Sequence, residues 1–113
     1  MDFKKKYNKV EREIQSYNIK RRYPFKIPVI CYTIDNYAPK LNRYKFLLDL
    51  DMTLINFMYF IRKMIKLDDT ISIYLLINNN LCPSSELFTS LYNKYKEDDG
   101  FLYITYACES TFG

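Results

Sequence analysis

A chain does chemistry either with a group that reacts or with a group that others react upon. This one has no histidine, so the commonest proton-transfer side chain near neutral pH is missing. Cys31, Cys82 and Cys108 lie far apart with no Cys-x-x-Cys pair, which argues against a structural zinc site. An odd number of scattered cysteines fits a reduced compartment, and each reads as a small buried apolar side chain. No Ser, Cys or paired-carboxylate cluster has an identifiable activating partner. The expectation is therefore no catalytic residue, no metal, no cofactor and no enzyme. What remains is the carboxyl end, Glu109-Ser110-Thr111-Phe112-Gly113. A terminal glycine has no Cβ and lies extended in a narrow channel, so the Gly113 carboxylate is expected to be a substrate for other enzymes.

The elements before it must present that tail. Residues 101–107 are rich in aromatic and β-branched types with apolar side chains on both faces, which predicts a strand buried above and below in mid-sheet. Residues 28–34 predict a strong strand with Pro28 at its first position. Residues 44–48 predict a second strand, antiparallel to the first and at an exposed edge. Thr53 is placed to cap a helix reaching about Lys66, with Leu54, Phe57, Met58, Ile61 and Ile65 as its core stripe. Tyr59 and Phe60 remain as apolar surplus beside it. Residues 71–77 predict another strand, ended by Asn78-Asn79-Asn80. Pro83 opens a second, shorter helix to about Lys96, striped by Leu87, Leu91 and Tyr95 with Phe88 and Tyr92 alongside. At the start, Phe3, Tyr7, Val10, Ile14 and Tyr17 draw one narrow stripe over residues 3–20, expected to dock on the body, with Asn8 able to divide the segment.

Length and composition bound the answer. A chain of 113 residues, 49% hydrophobic, predicts one domain with one core. No run of 18 apolar residues is present, so no membrane-spanning helix is expected, and the basic start lacks the apolar core of a secretory signal. Residues 1–26 hold nine Lys/Arg against three Asp/Glu; the rest holds eight against ten. A basic N-terminal segment thus sits on a mildly acidic body. On charge alone it suits acidic peptides, anionic lipid or nucleic acid, or forms a solvated helix face. Strands and helices in this order predict an α+β fold, a β-grasp sheet with segregated helices. The expected division is residues 1–22 as helical extension, 23–107 as body and 108–113 as conjugation tail.

Three stretches together resemble the ubiquitin-like autophagy modifier family, which includes the GABA-receptor-associated proteins and the microtubule-associated light chains. They are Ile19-Lys20-Arg21-Arg22-Tyr23-Pro24 with Ile27-Pro28-Val29-Ile30; Lys45-Phe46-Leu47-Leu48 with Phe57 and Phe60-Ile61-Arg62-Lys63; and Phe101-Leu102-Tyr103-Ile104-Thr105-Tyr106 with the glycine-terminated tail. The resemblance spans Phe3 to Gly113 and implies a ubiquitin-like β-grasp body, with a four-stranded mixed sheet and two body helices, plus two N-terminal helices. It implies activation of Gly113 by a ubiquitin-activating-type enzyme, passage through a conjugating-type enzyme, and ligation to phosphatidylethanolamine on autophagosomal membranes. It also implies a processing and delipidating cysteine protease, with Thr111 and Phe112 among the residues these enzymes read. Since the sequence ends at Gly113, the expectation is a chain born mature or one in its cut form. A monomer, cytoplasmic until lipidated and without nucleic-acid partners, is expected.

The family's second function is docking of short receptor and adaptor motifs, an aromatic residue followed three places later by an aliphatic one, on the edge strand. By family correspondence the aromatic pocket involves Ile19, Pro28, Ile30, Lys45, Leu47 and Phe101. The aliphatic pocket involves Phe46, Leu48, Met52, Phe57, Phe60 and Ile61. Arg21, Lys26 and Lys45 are placed to attract acidic residues flanking the motif. The sequence departs from the family pattern at Asn8-Lys9-Val10-Glu11-Arg12, at Gln15 where an acidic residue is usual, at Phe25 where aspartate follows Tyr-Pro, at Asp49, and at Phe60 in place of leucine. The alternatives are a modifier attached to a protein lysine, a member repurposed for another organelle membrane, and an unconjugated or RNA-binding module. The lysine-linked relative ends in Trp-Gly, and this chain has no Trp. No RNA-recognition or KH signature is present.

Overall fold

The last strand, apolar on both faces, takes the middle of the sheet. In the computed structural model, which describes residues 2–110, the elements run α1 (Asp2–Lys6), α2 (Lys9–Arg22), β1 (Lys26–Tyr32), β2 (Lys45–Asp49), α3 (Leu54–Met64), β3 (Ile71–Ile77), β4 (Asn80–Leu81), α4 (Phe88–Tyr95) and β5 (Leu102–Ser110). The strand order is β2-β1-β5-β3-β4. β5 runs parallel to β1 and antiparallel to β3. Side-chain alternation along β5 splits the core in two. Leu102, Ile104 and Tyr106 join α3 and α4 in the larger cluster, while Phe101 and Tyr103 join Phe3 and Ile30 in a smaller one beneath α1. The sheet is thus covered on both faces, as a ubiquitin-like β-grasp with two added N-terminal helices.

Local chemistry explains most boundaries. Asn8 ends α1 and caps α2: its Oδ1 accepts from the Glu11 N–H at 2.9 Å, and Glu11 reaches back to the Asn8 N–H, a reciprocal capping box. Thr53 caps α3 the same way with Asn56. Pro28 is the third residue of β1, not the first. It is tolerated because the Cys31 N–H donates to the carbonyl of Tyr44, just ahead of β2. Alternation therefore turns position 28 away from β2, toward the point just before β5 begins to pair at Leu102.

Several expectations are corrected. The sheet has five strands rather than four: Asn78 and Asn79 take φ of 53° and 62°, a backbone that closes a tight hairpin, and β4 pairs antiparallel with β3. β5 continues past Ala107. Cys108, Glu109 and Ser110, assigned above to the tail, pair with Ile73, Ser72 and Ile71. The second body helix starts at Phe88, not Pro83, because residues 83–87 are pinned as a bridge. Leu54 and Ile55 N–H groups donate to Glu86 and Ser84 carbonyls, and Phe88 and Thr89 N–H groups donate to Met52 and Leu50. Its buried stripe is Phe88, Leu91 and Tyr92, with Leu87 exposed. The N-terminal stripe also divides. Phe3 is fully buried, whereas Val10, Ile14 and Tyr17 face solvent; α2 docks instead through Ser16 and Ile19. Among the described residues no helix is long and apolar enough to cross a membrane.

Candidate functional site

β2 has β1 on one side and, among the described residues, no strand on the other. Because Cys31 donates to Tyr44, and Val29 and Ile27 lie opposite Phe46 and Leu48, the main-chain groups of Phe46 and Leu48 face β1. Those of Lys45 and Leu47 therefore point to the open edge, the geometry that an added strand would require.

Side chains alternate the other way. Phe46 and Leu48 are buried in the larger core, while Leu47 is 37% exposed. Of the six residues expected to form the aromatic pocket, Lys45 lies opposite Ile30 and Leu47 opposite Pro28, on the α2 face of the sheet. Ile19 is half-buried and packs on the same cluster as Ile30 and Phe101. Ile30 and Phe101 themselves are fully covered. The covering group is Phe3, whose ring meets that of Phe101 edge-on at 5.1 Å. Sequence reasoning placed Phe3 on a helical stripe without assigning it this position. Of the six aliphatic-side residues, Phe46, Leu48, Phe57 and Ile61 are core, Met52 is half-buried, and Phe60 is 39% exposed. The rings of Phe46, Phe57 and Phe60 lie 5.6–6.2 Å apart. The Arg43 guanidinium sits 4.8 Å from the Phe46 ring centre, a neighbour no sequence signal indicated.

The basic residues are unequally available. Lys45 donates to Gln15 Oε1 at 2.6 Å, so the departure from an acidic residue at position 15 still leaves an oxygen for the ammonium. Burial, then the nearby Lys6 charge, holds the Lys45 ammonium below its usual range. Lys26 is paired with Asp49 at the end of β2. Arg21 is exposed.

One cluster carried no local signature because its members are 87 residues apart. Asp99 is buried; it accepts from Arg12 Nε and the Phe101 N–H, both at 2.9 Å, and from the Tyr103 hydroxyl. Its main-chain carbonyl accepts from Ser16 Oγ at 2.5 Å. The cluster fixes α2 over the start of β5, next to the covered Phe101. Burial, then the Asp99 bond, pushes the Tyr103 hydroxyl up.

The three thiols are free. Cys31 is fully buried, and burial pushes its thiol up; Cys82 and Cys108 are half-buried. At the far end of β5, the strand is described as far as Ser110. Gly113, Phe112 and Thr111 lie outside the described residues.

A mixed sheet of this order, with two helices on one face and two N-terminal helices on the other, defines a ubiquitin-like domain. The family model described as "Autophagy protein Atg8 ubiquitin like" matches residues 11–113, and the chain belongs to that family. It is 39% identical over 112 residues to autophagy-related protein 8 of Schizosaccharomyces pombe, covering 98% of this chain and 93% of that one. It is 40% identical over 104 residues to autophagy-related protein 8e of Arabidopsis thaliana, covering 91% and 85%. Trypanosoma brucei ATG8 superposes with a TM-score of 0.90 at 32% identity, over 100% of this chain and 98% of that one. Plasmodium falciparum Atg8, solved in complex with an Atg3 peptide of the same organism, gives 0.86 at 28% identity, over 96% of each chain.

Proposed function

We propose that this ubiquitin-like autophagy protein is ligated through the Gly113 carboxylate to phosphatidylethanolamine of autophagosomal membranes, and there recruits receptors and adaptors. The observation that carries the reading is that the family match runs through residue 113, which places Gly113 inside the family segment. The chain supplies the acyl group. Activating-type and conjugating-type enzymes, with a delipidating cysteine protease, supply the catalysis, and Thr111 and Phe112 are read along the way. That a relative was solved with an Atg3 peptide supports a partner of the conjugating kind. The chain is a monomer without cofactor, cytoplasmic until lipidated.

Receptor motifs dock on β2. Lys45 and Leu47 offer the unpaired main chain, Leu47 with Ile19 and Lys45 borders the site of the motif's aromatic residue, and Phe60 with Met52 borders that of its aliphatic residue. Phe46, Leu48, Pro28, Ile30, Phe57, Ile61 and Phe101 form the supporting floor.

The test is reconstitution with the activating and conjugating enzymes, ATP and phosphatidylethanolamine vesicles. Wild-type protein acquires the lipid and Gly113→Ala does not. Equal lipidation of the alanine variant would remove Gly113 from the reaction.

A further inference from the structure

The connection between β1 and β2 carries two apolar side chains that the core does not use: Ile34 is 81% exposed and Tyr37 is 92% exposed. Single exposed apolar residues are ordinary. These two share one short loop, and that loop is tied to the last strand. Thr33 Oγ1 donates to the Tyr106 carbonyl, and the Cys108 N–H donates to Asp35 Oδ2 at 2.9 Å. Asp35 Oδ1 also accepts from the Tyr37 N–H at 2.9 Å, and the Asp35 N–H donates to Thr33 Oγ1 at 3.0 Å. Because β1 and β5 are parallel, the end of β1 and the exit of β5 lie at the same end of the sheet. From Ser110 to Gly113 there are three residues, which span at most ~10 Å.

We propose that Ile34 and Tyr37 enter the interfacial layer of the bilayer to which Gly113 is ligated, fixing how the anchored domain sits on its membrane. This rests on the lipid-ligation reading above. The occupant follows from the tether: a domain held within ~10 Å of the lipid headgroups presents to the bilayer the end from which its tail leaves. A tyrosine has an apolar ring and a polar tip suited to that depth. The anchor makes the contact intramolecular, so two side chains suffice where they would not hold a free protein. Charge does not drive it. The same end carries Lys40, Arg43, Arg62, Lys63 and Lys66 but also Asp35, Asp68, Asp69 and Glu109. The contact is therefore apolar and insensitive to salt.

The chain has no Trp of its own, so Tyr37→Trp or Ile34→Trp introduces a single reporter. Full-length protein carrying Gly113→Cys, with Cys82→Ser and Cys108→Ser to prevent side coupling, is joined to maleimide-bearing phosphatidylethanolamine in phosphatidylcholine vesicles whose acyl chains carry bromine. Phe25→Trp is the control, exposed at the opposite end beside the start of β1. Circular dichroism checks that each variant keeps the wild-type fold. On anchoring, Tyr37→Trp and Ile34→Trp emission shifts to the blue and is quenched by bromine, while Phe25→Trp does neither. The difference persists between about 0.05 and 0.5 M salt, a range that screens surface charge. Emission from both loop reporters that matches Phe25→Trp overturns the proposal. So does a blue shift without bromine quenching, which would mark contact with a second copy. Chemical anchoring needs no conjugating enzyme, so enzymes failing to ligate Gly113 while the loop is still quenched would refute the ligation reading and leave the loop contact standing.

Discussion

Removing the Asp99 carboxylate tests how the N-terminal helices are held. In the native state it is 2% exposed and pairs with an Arg12 side chain that is 14% exposed, at 2.9 Å. It also receives the Tyr103 hydroxyl and the Phe101 N–H. Asp99→Ala leaves a nearly buried guanidinium whose remaining bond is to the Tyr7 carbonyl at 2.7 Å, together with two unpaired donors. Breaking a buried pair from one side costs about 3–5 kcal/mol. Arg12→Ala is milder, about 1.5–3 kcal/mol, because the carboxylate keeps Tyr103 and Phe101 as donors. The double variant removes both charges together, so its loss falls below the sum of the singles. Urea unfolding of the wild type, both singles and the double variant gives these values. Hydrogen exchange locates the effect: protection is lost first in α2 and around Phe101. An Asp99→Ala loss under about 1 kcal/mol, or strict additivity in the cycle, would refute the reasoning that this pair clamps α2.

Gly100 takes φ of +90°, and a Cβ there would stand 2.4 Å from Ser16 Oγ; Gly100→Ala is expected to cost about 1–3 kcal/mol, read by urea unfolding. Burial first of all raises both Tyr103 and Tyr106, the latter to about 12. Their contribution to stability is whole below the unfolded tyrosine value near pH ~10 and is lost as pH rises through the folded values. Unfolding midpoints should therefore fall above about pH 10, and Tyr106→Phe should flatten that fall. Phe60 is 39% exposed beside Phe46, so Phe60→Ala should weaken an aromatic-x-x-aliphatic peptide by about tenfold in calorimetry. Tyr74→Ala, on β3 across the sheet, should leave the affinity unchanged; equal weakening by both would move the docking site off β2.

What the sequence determined by itself are the features that depend on neighbours in the chain. β3 falls on residues 71–77 as its apolar run predicts. Thr53 caps α3, and Leu54, Phe57, Ile61 and Ile65 turn inward together, because helical periodicity needs only local spacing. Apolar side chains on both faces of residues 101–107 were enough to place that segment mid-sheet, and the terminal glycine marked the expected chemistry. The residues flanking β2 were legible through family resemblance; their accessibility was not. The fold decided that Ile30 and Phe101 lie hidden beneath Phe3 while Leu47 and Phe60 reach solvent. It extended β5 through Cys108 and the polar residues Glu109 and Ser110, because β3 supplies hydrogen-bond partners there whatever the side chains. It turned Val10, Ile14 and Tyr17 outward, because α2 is fixed by the Arg12–Asp99 pair and the Ser16 bond rather than by its apolar stripe. Those contacts join residues more than 80 positions apart, and no local pattern encodes them. The exposure of Ile34 and Tyr37 at the tail's exit has the same origin: Asp35 binds the last strand, and only the folded chain brings the two together.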